Sequence, residues 1–261
     1  MTTRACQYAT RMPAAVILIH GLRTSATLWR HQRLELEALG IPVTALDLPG
    51  HGQRMHERFS LSSAYAVIAD AVDAAQVETG EKPYLVGFSL GGYLSIEWAA
   101  DNPERVAGLM AVACGTDPGR IVLGVWRALA RVIYRFPDRG LGLNNRAVRL
   151  LVPEPGATDV IAGGVALEVM DDVLVALRSI RPSRALPKID VPVTLVNGAL
   201  DHIRLHDRRM AAATRRGRLV TVPRSTHMVT VIAPRPFTEH LLTGYAEATG
   251  TTDAPRLGRL P

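Results

Sequence analysis

Apolar and polar positions along this chain follow two alternating patterns. Short apolar runs bounded by Gly, Pro or Asp recur at residues 16–20, 42–46, 83–88, 106–114, 191–197 and 219–222. Runs of this kind read as strands buried on both faces. Between them lie segments with apolar residues at helical spacing. Residues 25–39 carry Leu28, Trp29, Leu34, Leu36 and Leu39, and residues 62–79 carry Val67, Ile68, Val72 and Val77. Two more helices are expected at 207–215 and 236–248. Strand, helix, strand in repetition predicts an α/β fold with a doubly wound, mostly parallel sheet.

The repetition breaks after residue 114. Residues 121–136 are amphipathic, with Val122, Val125, Leu129, Val132, Ile133 and Phe136 near helical spacing. Arg127, Arg131 and Arg135 lie four apart on one face of that segment. Residues 138–142 read as a turn, and 145–152 and 165–179 as helical. A segment of about seventy residues is long for one crossover. It predicts a helical cap over the carboxyl edge of the sheet, where folds of this type hold ligands. The expected division is a core of 1–117 and 186–250, a cap of 118–185 and a flexible tail of 251–261.

Composition narrows the class. The chain has 261 residues, 48% of them hydrophobic, enough for one sizeable core with an insertion. No run approaches the roughly 20 apolar residues that span a bilayer. The first residues are polar and offer no apolar segment for a signal peptide. Cys6 and Cys114 make no disulfide framework or metal spacing. A cytoplasmic protein is expected. The net charge is +6, and residues 118–185 hold ten arginines against six acids. No basic run is interleaved with aromatics, so nucleic acid is not an expected partner.

The sharpest local signal is Gly87-Phe88-Ser89-Leu90-Gly91, between an apolar strand pattern and a helical one. A serine in so tight a turn is forced into a strained backbone, and flanking side chains would strike the crossing chain. The turn lifts its hydroxyl to the start of a helix, where N–H groups and the helix dipole favour negative charge.

With this motif the chain resembles the α/β-hydrolase family over nearly its whole length. His20-Gly21-Leu22 looks like the oxyanion loop. Asp47-Leu48-Pro49-Gly50-His51-Gly52 resembles the D-x-P-G-x-G segment, and Gly87–Gly91 the nucleophile elbow. Asn197-Gly198-Ala199-Leu200-Asp201 and Ser225-Thr226-His227 resemble the acid and histidine turns. The resemblance implies an eight-stranded, mostly parallel sheet with a helical cap after the sixth strand. Only nineteen residues precede His20, which leaves room for one short strand or a tight hairpin at that edge.

A serine hydroxyl needs a base to take its proton and a third group to orient the base. Ser89, Asp201 and His227 occur in the chain order of this fold. Asp117 and Asp207 compete as the acid. Among the other histidines, His206 and His240 read as helical, His51 as part of a loop closing the pocket, and His20 as a brace for the oxyanion loop. His202, adjacent to Asp201, is not expected to fold back onto it. The backbone N–H groups of Leu22 and Leu90 are the expected oxyanion donors, and His20, Gly21 and Arg23 the expected substrate-facing residues. His202 and His206 have a weak metal spacing without a zinc-protease glutamate. No metal and no cofactor are expected.

Three functions follow. The first is hydrolysis of a carboxylic ester, lactone or thioester, with a small acyl substrate that the cap arginines would favour if anionic or carrier-protein-bound. A solvated arginine face is the competing account of those residues. The second is other chemistry of the fold: carbon–carbon cleavage, acyl transfer, elimination or cofactor-free oxygenation. Dehalogenases and epoxide hydrolases carry aspartate where Ser89 stands. The third is a non-catalytic ligand receptor. Oligomeric state is not readable.

Overall fold

The computed structural model describes residues 12–251. Within that range, strands and helices alternate as the apolar pattern predicts. β1 (Val16–Ile19), α1 (Arg30–Ala38), β2 (Val43–Leu46), α2 (Leu61–Thr79), β3 (Tyr84–Phe88), α3 (Leu90–Asp101) and β4 (Gly108–Val112) form the first part. Five helices follow: α4 (Arg120–Ile133), α5 (Leu141–Leu151), α6 (Gly156–Ala162), α7 (Met170–Ala176) and α8 (Pro182–Ala185). The chain then returns through β5 (Val193–Gly198), α9 (Asp207–Ala213), β6 (Gly217–Val222), α10 (Val229–Ile232) and α11 (Pro234–Thr249).

The six strands are all parallel, in the order β2-β1-β3-β4-β5-β6. Alternate side chains of each central strand feed two cores. Ile17, Ile19 and Leu85 pack on one face with Ile68, Val72 and Leu94 of α2 and α3. Val16, Leu18 and Val86 pack on the other with Trp29, Leu36, Phe237 and Leu241. Burial on both faces explains why these strands read as unbroken apolar runs.

The eight strands implied by the resemblance are six among the described residues, with no antiparallel edge. Only residues 12–15 precede β1 there, too few for a hairpin. Residues 1–11 and 252–261 lie outside the described residues, and with them most of the expected tail; Thr249 closes α11 and Gly250 caps it at φ +69°.

Local chemistry sets several boundaries. The segment expected as one helix at 25–39 starts instead as a 3-10 turn, Ala26–Trp29, because the Ser25 side chain accepts from the Thr27 N–H. α2 begins at a Ser60–Ser63 capping box and ends at Gly80, φ +71°. The helix expected at 165–179 shrinks to α7, after Gly163 and the left-handed Gly164. The helices α6, α8 and α10 were not anticipated; each is a short element of four to seven residues, below the length at which periodicity is legible.

Two arginines of the stripe on α4 have an acid partner within the helical segment. Arg127 forms a two-pronged pair with Asp171 of α7, one of its bonds Nη2 to Oδ2 at 2.7 Å, and Arg131 reaches the same carboxylate at 3.6 Å. Both arginines link α4 to α7 at an exposed surface. The apolar side of α4 is only partly covered: Leu123 is buried, while Ile121, Val125 and Val132 remain largely exposed.

Candidate active site

β3 ends at Phe88, and α3 begins at Leu90. Ser89 between them takes φ +52° and ψ −111°, a left-handed conformation costing a non-glycine residue about 1–3 kcal/mol. The surrounding backbone enforces it. The Ser89 N–H donates to Val112 O at 2.7 Å, and the Gly91 N–H donates to His20 O at 3.1 Å. A Cβ on Gly87 would stand 2.3 Å from the Gly91 carbonyl oxygen, and one on Gly91 would stand 2.3 Å from that of Ile19. Both glycines are therefore required by crossing backbone.

The turns after β5 and β6 touch each other. A Cβ on Gly198 would meet Thr226 O at 2.2 Å, so glycine permits the approach. This contact sets Asp201 beside His227. Nδ1 of His227 lies 3.1 Å from each Asp201 carboxylate oxygen, and its Nε2 lies 3.1 Å from Ser89 Oγ. The proton belongs on Nδ1, facing the carboxylate, which leaves Nε2 to accept from the hydroxyl. Phe88 packs against the imidazole with ring centres 5.3 Å apart. Burial pushes the Asp201 carboxyl pKa up, but the hydrogen bond and charge of His227 and the Ile203 N–H, at 3.0 Å, outweigh it. The net effect holds Asp201 below its ordinary range, and ionised.

The competing acids are committed elsewhere. Asp117 accepts from the Ser183 N–H and hydroxyl at 3.0 and 2.5 Å, and Asp207 accepts from Arg204 at 2.9 Å. His206 bonds Thr116 Oγ1 at 2.8 Å and does not join His202. The expectation for His202 is corrected. Its Nδ1 stands 3.7 Å from Asp201 Oδ1, and its ring lies 5.3 Å from that of His227. The turn after Gly198 curls enough to bring neighbouring side chains to one place. Asp201, His202 and His227 together present ligand atoms within 4.8 Å of one another.

The loop after β1 lies against the serine: a Cβ on Gly21 would stand 3.3 Å from Ser89 Cβ. His20 is fully buried behind it. Its Nε2 accepts from the Leu48 N–H at 3.0 Å, and its Nδ1 donates to Gly21 O at 2.7 Å. Burial and the neighbouring His51 lower the His20 pKa to about 3, against the Gly21 carbonyl, which raises it. His20 is thus a neutral brace, with both nitrogens engaged. Thr24 also bonds Gly21 O, at 2.9 Å from its hydroxyl. The Leu22 N–H makes no hydrogen bond among the described residues, and Leu90 opens α3, where an N–H has no intrahelical partner. Arg23, φ +65°, points Nη2 at Asn144 Oδ1 of α5. Nothing in the sequence singled out Asn144.

The D-x-P-G-x-G segment has a structural role. Asp47 accepts from the Ala26 N–H at 2.7 Å and the Gln53 N–H at 2.9 Å. A Cβ on Gly52 would fall 2.2 Å from the Asp47 carboxyl carbon. This staple holds the loops on either side of β2. A depression of about 410 Å³ beside β2 is lined by Asp47, Gln53 and Val67 but by none of Ser89, Asp201 or His227.

Comparison with known proteins identifies the family. The model of the alpha/beta hydrolase family matches residues 16–239. Human monoglyceride lipase is 26% identical over 210 residues, 76% of this chain and 69% of the lipase. The pimeloyl-[acyl-carrier protein] methyl ester esterase of Neisseria meningitidis is 30% identical over 208 residues, 74% of this chain and 78% of the esterase. A thermophilic esterase from Thermogutta terrifontis superposes with a TM-score of 0.75 at 20% identity, covering 91% of both chains. The chain belongs to the α/β-hydrolase family and has its fold, and it is an enzyme of that superfamily. No helix among the described residues is long and apolar enough to cross a membrane.

Proposed function

We propose that this enzyme is a serine hydrolase that cleaves a carboxylic ester, lactone or thioester through an acyl-enzyme on Ser89. The observation that carries the reading is the single imidazole spanning Ser89 Oγ and both Asp201 oxygens at 3.1 Å. In this scheme Ser89 Oγ attacks the carbonyl carbon as its proton passes to His227 Nε2. The oxyanion forms between the N–H groups of Leu22 and Leu90. The tetrahedral intermediate collapses, the carbon–oxygen or carbon–sulfur bond breaks, and His227 returns the proton to the leaving alcohol or thiol. A water then gives its proton to His227 and attacks the ester carbonyl. Ser89 leaves with that proton, and the acid is released.

Asp201 stays ionised throughout and holds the imidazole. Residues 118–185 act as the cap over this centre. Epoxide hydrolase B of Mycobacterium tuberculosis is 29% identical over 113 residues, but a serine cannot supply the carboxylate nucleophile that epoxide opening uses in this fold. Steady-state hydrolysis of short aryl esters and thioesters tests the proposal. Wild type should turn over at least one class, and Ser89→Ala should lose about 10³-fold or more in kcat. Equal rates in the two proteins would overturn it.

A further inference from the structure

Arg23 is a half-buried cation that the proposed serine chemistry does not use. It sits two residues beyond Gly21, which touches Ser89. It lines a cavity of about 190 Å³ among α4, α5 and the start of α7, with Trp126, Leu129, Ile133, Leu143 and Met170 as apolar wall; Ser89, Asp201 and His227 do not line it. A buried guanidinium ordinarily has a carboxylate partner, because the uncompensated charge is costly. Even the surface arginines nearby have acids: Arg127 and Arg131 pair with Asp171, and Arg139, on the same cavity, pairs with Glu168. Among the described residues Arg23 meets only the neutral amide oxygen of Asn144. Burial lowers its pKa with no acid to offset it, yet an arginine remains charged at neutral pH. Its backbone also sits at φ +65°, where glycine would be less strained.

We propose that Arg23 is the recognition point for a carboxylate carried by the substrate at a distance from the scissile carbonyl, so that the enzyme acts on monoesters or monothioesters of dicarboxylic acids. The inference rests on the serine-hydrolase reading for which group reacts, and adds which acyl chain is accepted. The apolar wall suits the methylene chain between the two carbonyl carbons. The planar fork of Arg23 matches a carboxylate in a two-pronged bond. One unmatched positive charge calls for a monoanion; a phosphate dianion would leave a surplus negative charge in an apolar cavity. Asn144 holds the guanidinium in place when the site is empty, and gives up no charge when an anion arrives.

The test measures binding without turnover. On the Ser89→Ala protein, monomethyl glutarate and monomethyl adipate are compared by calorimetry with methyl valerate, a neutral ester, and with inorganic phosphate. At least one monoester should bind about tenfold or more tighter than methyl valerate and tighter than phosphate. Adding Arg23→Met should bring monoester and neutral ester to within about twofold. Should that variant lose its cooperative melt, Arg23→Gln is read in its place. Equal binding of charged and neutral esters to Ser89→Ala would overturn the proposal. So would a preference that survives loss of the guanidinium, or tighter binding of phosphate than of either monoester. Because the assay needs no nucleophile, a failure of the Ser89 chemistry and a failure of the Arg23 site are separate results.

Discussion

Gly91 and Ile19 stand so close that a methyl group on the first would lie 2.3 Å from the carbonyl oxygen of the second. This contact joins the turn holding Ser89 to the strand feeding the Gly21–Leu22 loop. The same two segments carry the proposed nucleophile and both proposed oxyanion donors. A displacement of either moves the reacting groups together.

Gly91→Ala is therefore expected to cost about 3 kcal/mol or more in stability, as overpacking against fixed backbone does. Gly124→Ala on α4, where a Cβ meets nothing within 4 Å, should raise stability by about 0.5–1 kcal/mol, the ordinary gain of alanine over glycine in a helix. Urea denaturation of the two variants beside wild type checks both directions.

The strain at Ser89 predicts an ordering of variants. Ser89→Gly removes the Cβ that makes φ +52° costly and should melt at a higher temperature than Ser89→Ala, which keeps it. A difference of about 1 kcal/mol is expected. Calorimetry that places the alanine variant above the glycine variant would contradict the strain.

Buried neutral histidines set the acid sensitivity of the fold. The His20 pKa lies at about 3, and that of His51 at about 4, the latter because burial outweighs the Pro49 carbonyl and Asp47. Both values lie below the unfolded value near 6.5. Between those limits the unfolded chain binds more protons than the folded one, so stability rises with pH there and falls on acidification. Each histidine costs on the order of 2 kcal/mol by pH 5. Asp201 acts in the same sense at lower pH, since its depressed pKa gives stability that is lost as pH falls through the folded value. The Tm should drop from pH 7 to pH 5, and His51→Gln should flatten that slope. A slope unchanged in His51→Gln would argue against the buried neutral state.

Asp201→Asn should preserve the fold and lower kcat by about 10³–10⁴-fold, because the amide no longer fixes the productive tautomer of His227. His202→Ala, an exposed neighbour 3.7 Å from the same carboxylate, should change kcat less than about fivefold. Aryl ester turnover of the two variants separates the residue that orients the imidazole from the one that merely adjoins it.

The parts of this molecule legible in its sequence are those fixed by backbone geometry. Gly87, Ser89 and Gly91 announce their turn because crossing carbonyls leave no alternative. The central strands β1, β3 and β4 were legible because burial on both faces makes them apolar, while the edge strands β2 and β6 are partly exposed. The helical segment between β4 and β5 was legible only in outline. Its short helices are too brief to show a period, and three of its arginines, Arg127, Arg131 and Arg139, meet acids distant in sequence. The approach of His202 to Asp201 depends on how tightly one turn curls, which composition does not encode. The Arg23–Asn144 contact spans 121 positions of chain and has no local signature at all.

The most direct measurement is intact mass after treatment with a fluorophosphonate, followed by mapping of the modified peptide. Wild type should gain one phosphonyl group, located on Ser89, and His227→Ala should gain it at least about 10²-fold more slowly. An unmodified wild type, or a label that persists undiminished in Ser89→Ala, would contradict the assignment of this serine as the nucleophile.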